Sequence, residues 1–214
     1  MNLSLHHIVR EPKIKKDKNP LLLLLHGYGS NEEDLFSFTT ELPDEFYVIS
    51  ARAPFDMMHG CYAWYAINFD ADENKFSDIS QARTSRDIIA DFIDELVSNY
   101  NIDATNVTLI GFSQGSILSY AVALSYPEKV QRVVAMSGYL NTEIAVDDYK
   151  ENDFSSLKIF ASHGIVDQVI PIAWSRKSIP VFESLGIEIV YKEYPVGHGV
   201  APQNFFDFKN WLQL

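Results

Sequence analysis

The chain has 214 residues, 47% hydrophobic and 21% charged, which excludes a disordered tail or a fibre and suits one compact core. With 29 acidic against 17 basic residues the net charge is −12, so nucleic acid and anionic membrane surfaces are disfavoured as partners. The lone Cys61 can form neither an internal disulfide nor a thiolate metal site, and reads as a small buried hydrophobe in a reducing compartment.

The segment Met1 to Pro20 lacks the apolar stretch of a secretory signal, and no apolar run approaches the roughly 20 residues that span a bilayer. The expected location is the cytoplasm. Leu21 to Leu25, flanked by Pro20 and by Gly27 and Gly29, has the unbroken apolar character of a strand buried on both faces. Ser30 to Glu33 spells a capping box ahead of Leu35 and so predicts a helix start. Phe46 to Ser50 is the next strand.

Arg52 to Ser80 is a long connection carrying Tyr62, Trp64, Tyr65 and Phe69, aromatic surface that could wall an apolar pocket or fill a small hairpin core. Asp70, Asp72 and Asn74 imitate the opening of a calcium loop, but Lys75 and Gln81 stand where glycine and glutamate are required, so no metal is expected. From about Ser80 to Tyr100, Ile88, Ile89, Phe92, Ile93, Leu96 and Val97 recur at helical spacing. Val107 to Ile110, Arg132 to Met136, Lys158 to Ala161 and Glu188 to Tyr194 are further strands, and Gln114 to Ser125 and Pro202 to Leu212 are helices. A second long connection spans Ser137 to Ser156. Ala173 to Leu185 has helical composition, but Pro180 should end or kink the helix near Ile179. Strands alternating with helices, with no linker or internal repeat, predict a single α/β domain over residues 1–214: a mostly parallel sheet with helices on both faces, binding ligands beyond the carboxyl ends of its strands.

Three turns at strand ends carry the chemistry. Gly111, Phe112, Ser113, Gln114 and Gly115 form GxSxG between a strand and a helix, the setting of a nucleophile elbow. A serine hydroxyl is a weak nucleophile, so it needs a base, and the base needs a third group to fix its tautomer. Asp167 follows the strand from Lys158 and His198 follows the strand ending at Tyr194, giving the chain order serine, aspartate, histidine of α/β-hydrolases. His26 and His163 rival His198 as base but precede Asp167; Asp147, Asp148 and Asp153 rival Asp167 from an acidic loop. Oxyanion N–H donors are expected from Gln114 and from the loop His26 to Gly29, with Tyr28 preferred.

LLLHGYGSNEEDL, GFSQGS, HGIVDQVIP and GHGV, in this order, resemble the phospholipase/carboxylesterase family of α/β-hydrolases, which includes the acyl-protein thioesterases. The resemblance spans nearly the whole chain. It implies an α/β-hydrolase fold with little or no cap domain, a triad of Ser113, Asp167 and His198, and oxyanion N–H groups at Tyr28 and Gln114. It also implies an acyl groove beside Trp64 and Val169. SNEEDL departs from the thioesterase members toward the bacterial carboxylesterases. The expected activity is hydrolysis of small or medium acyl esters without cofactor or metal. Long-chain lysophospholipid or thioester hydrolysis is the alternative within this class, and a non-catalytic binding protein the alternative outside it. Monomer and homodimer are both open.

Overall fold

The computed structural model describes residues 3–69 and 75–213. In chain order its elements are β1 (His7–Arg10), β2 (Asn19–Leu25), α1 (Glu33–Phe36), β3 (Tyr47–Ala51), β4 (Phe55–Asp56), β5 (Tyr62–Ala63), β6 (Ile67–Phe69) and β7 (Lys75–Ser77). There follow α2 (Ile79–Asn99), β8 (Ile102–Phe112), α3 (Gln114–Ser125), β9 (Arg132–Met136), β10 (Lys158–Gly164), α4 (Ile172–Ser184), β11 (Glu188–Tyr194) and α5 (Pro202–Leu212). A seven-stranded sheet runs in the order β1-β3-β2-β8-β9-β10-β11, parallel throughout except for β1 against β3.

Both faces of this sheet are covered, which is why its central strands are apolar without alternation. Leu21, Leu23 and Leu25 of β2 pack with α2 and α3, whereas Leu22 and Leu24 pack with Leu35 of α1 and Phe205 and Phe208 of α5. The Asp78 side chain caps α2 by accepting the Gln81 N–H at 3.0 Å, and Ile89, Phe92, Ile93 and Leu96 turn inward. Helix α3 differs from α2 in kind. All twelve of its residues are buried, and it has no solvent face.

Three expectations are corrected. The capping box is not formed: Ser30 Oγ donates to the Asp34 carboxylate at 2.8 Å, and α1 starts at Glu33, whose N–H is accepted by Asn31 Oδ1 at 2.9 Å. Ser30 is held outside the helix because its carbonyl accepts the Tyr62 N–H at 2.8 Å while the Gly29 N–H reaches the Tyr62 carbonyl at 2.9 Å. Pro180 does not end α4, which continues to Ser184. Proline removes one N–H donor, but Pro180 is exposed, so water can satisfy the carbonyl that loses it, and Ser175, Ser178 and Phe182 anchor the opposite face. Cys61 is partly exposed, beside the Met57–Cys61 turn of the β4–β5 hairpin. The calcium-loop positions Asp70, Asp72 and Asn74 lie outside the described residues. Among the described residues no helix is long and apolar enough to cross a membrane.

Candidate active site

Parallel strands bring the turns that follow them to one edge, and three of these turns converge. Ser113 sits between β8 and α3 with φ 54° and ψ −115°, a conformation that L side chains rarely adopt. Its surroundings hold it there. A Cβ on Gly115 would lie 2.0 Å from the Leu25 carbonyl oxygen, so only glycine lets α3 start this close to β2. The Ser113 N–H donates to the Met136 carbonyl at 2.9 Å, and the Ser116 hydroxyl accepts the Met136 N–H at 2.9 Å while lying 2.7 Å from the Gly111 carbonyl.

His198, on the loop after β11, lies with Nε2 3.0 Å from Ser113 Oγ and Nδ1 2.7 Å from Asp167 Oδ2. Its ring packs on Phe112 with centroids 5.0 Å apart. Asp167 follows β10 and has a fully buried side chain. Its Oδ1 accepts the Val169 and Ile170 N–H groups at 2.8 and 2.9 Å, a turn that fixes the carboxylate plane. Burial pushes this carboxyl up, but hydrogen bonds from His198, Ile170 and Val169 outweigh it and hold the group below the ordinary aspartate value. An acceptor on Nδ1 leaves Nε2 free to take the Ser113 proton. The expected serine, histidine and aspartate therefore meet; of the rivals only His163 comes near, 3.3 Å from Asp167 Oδ2, and it does not contact Ser113.

Among the described residues, the backbone N–H groups of Tyr28 and Gln114 are drawn into no protein hydrogen bond, and both residues border the cleft that opens over Ser113. The Gln114 N–H is at the start of α3, where helix amides lack intrahelical acceptors and the dipole is positive. The Tyr28 loop is braced from outside. Buried Glu32 receives a bidentate ion pair from Arg52, and the Arg52 guanidinium lies 4.5 Å over the ring of Tyr62, the residue paired with Gly29 and Ser30. The Arg52 hydrogen bond holds the Glu32 carboxyl below its ordinary range.

The cleft has a volume of about 590 Å³ and is lined by Tyr65, Ile67, Ile79, Ile117, Tyr139, Val169, Ile170 and Trp174, with Ser77, Asn141 and Glu143 as polar interruptions. That size falls within the range of small-molecule sites.

The model of the phospholipase/carboxylesterase family matches residues 6–214. The chain belongs to that family. A probable carboxylesterase SOBER1-like of Arabidopsis thaliana is 27% identical over 113 residues, 52% of this chain and 43% of that protein, so the chain spans less than half of that relative's length. Acyl-protein thioesterase 1 of Candida albicans is 24% identical over 222 residues, 96% of each chain. The crystal structure of the Bacillus cereus carboxylesterase superposes with a TM-score of 0.83 at 20% identity, covering 99% of this chain and 95% of that one. The fold is that of an α/β-hydrolase, and the protein is a carboxylic ester hydrolase.

Within this phospholipase/carboxylesterase family member the groove residues divide. Val169 lines the cleft and is 49% exposed. Trp64 does not line it. Its side chain is fully buried, with the indole N–H donating to the His26 carbonyl at 3.0 Å, and its backbone N–H donates to Gln114 Oε1 at 2.8 Å. An indole needs an acceptor when buried, and the carbonyl beneath the Tyr28 loop supplies one, which turns this side chain inward. The neighbouring Tyr65 takes the wall position. His26 has a structural part, its Nε2 accepting the Ala53 N–H at 3.0 Å. The sequence reading missed Tyr139, which lies in the loop after β9, Trp174, which stands off the core-facing positions of α4, and the Gln114 side chain, whose amide also donates to the Tyr65 carbonyl at 2.8 Å. A long polar side chain at the first position of a helix whose other residues are apolar or small, Tyr120 apart, was the available signal.

Proposed function

We propose that this esterase hydrolyses small or medium acyl esters through an acyl intermediate on Ser113. The observation that carries the reading is the hydrogen-bonded run from Asp167 through His198 to Ser113 at the mouth of an apolar cleft. His198 Nε2 takes the hydroxyl proton as Ser113 Oγ bonds to the ester carbonyl carbon, while Asp167 orients the ring and steadies the imidazolium. The carbonyl π electrons move to oxygen, where the Tyr28 and Gln114 N–H groups receive the charge; loss of one such donor costs on the order of 10²-fold or more. Collapse of the tetrahedral species expels the alkoxide, which takes the proton from His198 and leaves as alcohol. Water then attacks the acyl-serine, His198 accepts its proton, and a second collapse returns the proton to Ser113 as the carboxylic acid departs.

The polar interruptions at Ser77, Asn141 and Glu143 favour shorter acyl groups over one long uninterrupted alkyl chain. A second reading, long-chain ester or thioester hydrolysis, is favoured by the end-to-end match to the Candida albicans thioesterase. The deciding experiment is hydrolysis of p-nitrophenyl esters from acetate to palmitate, with matching thioesters, by wild type and Ser113→Ala. The expected result is an optimum at short or medium chains that the substitution abolishes. An optimum at palmitate selects the second reading, retained activity in the variant rejects Ser113, and inactivity on the whole series turns the protein toward a binding role.

A further inference from the structure

Asp167 is approached by a second imidazole that the proposed mechanism does not use. His163, near the end of β10, has a side chain wholly shielded from solvent. Its Nε2 lies 2.8 Å from the Ile170 carbonyl oxygen and 3.3 Å from Asp167 Oδ2. A carbonyl can only accept, so Nε2 carries the proton, and the same N–H lies beside the carboxylate in electrostatic contact, without a hydrogen bond to it. Nδ1 is buried without a partner.

These contacts close a circuit around the acid. His163 holds the Ile170 carbonyl, the Ile170 and Val169 N–H groups hold Asp167 Oδ1, and Oδ2 is left between His198 Nδ1 and the edge of His163. We propose that His163 is a positioning residue for the acid: an N–H donor that fixes the 167–170 turn and lies against the Asp167 carboxylate, which it shares with His198. The inference rests on the reading of Asp167 as the acid of the Ser113 site. A further ion pair lies beside His163. Glu193 stands opposite it in the β10–β11 register, and the Arg176 guanidinium of α4 holds that carboxylate at 2.7 Å, so the charge beside His163 is largely compensated.

Sharing matters because a carboxylate left to one partner attracts that partner's proton more strongly. Removing the His163 N–H should therefore make His198 hold its proton to higher pH. The test compares wild type, His163→Met and His163→Gln in full pH profiles of kcat/KM. The methionine variant is expected to lose about 10-fold in kcat/KM, because it strands the buried Ile170 carbonyl and loosens the turn that holds Asp167. Its acid limb should move to higher pH, and glutamine, which keeps an N–H donor, should recover most of both. Loss of activity with an unmoved acid limb overturns the proposal, as does full activity with an unmoved limb. A second measurement needs no variant: nitrogen-15 histidine spectra of the wild type should show the His163 proton on Nε2, the nitrogen that faces the Ile170 carbonyl. A proton on Nδ1 with Nε2 bare overturns the proposal even if His163→Met fails to fold. Failure of the underlying reading is separate, since it would appear as activity retained in Ser113→Ala.

Discussion

The two sides of the cleft are built in different ways. Around Ser113 the chain is over-determined: a strand between parallel neighbours, a helix with every residue buried, and a glycine that leaves no room for a methyl. Across from it, Arg52 to Ser80 contributes hairpins of two or three residues per strand, fastened to the elbow through the Gln114 amide. The difference teaches where precision is needed. Reacting atoms must be held within about 0.5 Å, which requires packed elements, whereas a wall that selects an acyl group can be a loop held by a few hydrogen bonds.

The largest effect should come from the over-determined side. Ser113→Ala should lower kcat/KM by about 10⁴-fold or more without lowering thermal stability, because the strained backbone is fixed by its neighbours and not by the hydroxyl. A variant that stays active, or that unfolds, breaks the comparison. Gln114→Met comes next and cuts the fastening between the sides while keeping the proposed oxyanion N–H. It strands the Trp64 N–H and the Tyr65 carbonyl, each an unsatisfied buried group costing about 1–3 kcal/mol, and should displace the Tyr65 wall. We expect a drop of about 10-fold or more in kcat/KM and an earlier urea midpoint; unchanged values would mean that the loop holds its place without the elbow. A third effect is pH-dependent. The Asp167 carboxyl sits below its ordinary value once folded, so its stabilising contribution is present above the unfolded value of about 3.9 and is lost as pH falls through the folded one. Urea midpoints measured from pH 7 down to 3 should therefore fall less steeply for Asp167→Asn than for wild type. Parallel curves would show that the carboxylate is not held as described.

The same division explains what could be read from the sequence. The strands and the elbow were legible because buried parallel strands leave an apolar run, and because a strained serine turn demands glycines at fixed places, as at Gly111 and Gly115. The order of Ser113, Asp167 and His198 carried the site because each follows a strand of one parallel sheet. The loop was less legible. Its aromatics are alike in composition, and whether Trp64 or Tyr65 faces the cleft depends on a one-residue phase set by Gln114 and the His26 carbonyl, groups distant in sequence. The capping box failed for a related reason, since the long-range pairing of Ser30 with Tyr62 overrides a local helix signal.

The two smallest predictions divide the groove residues between support and selection. Trp64→Phe removes the indole donor to the His26 carbonyl and should cost about 1 kcal/mol, read from the urea midpoint, while the ratio of rates on long and short esters stays fixed. Val169→Ala should do the reverse. The Val169 amide is tied to Asp167, so its side chain is held at the rim even though it is half exposed, and alanine there leaves the backbone turn intact. Only contact with the acyl group changes. Two methyl groups on a half-exposed side chain correspond to a shift of about 3-fold in the long-to-short rate ratio, with little effect on stability. If Trp64→Phe moves the ratio instead and Val169→Ala leaves it alone, selectivity is set by the brace beneath the Tyr28 loop, and the rim is a bystander.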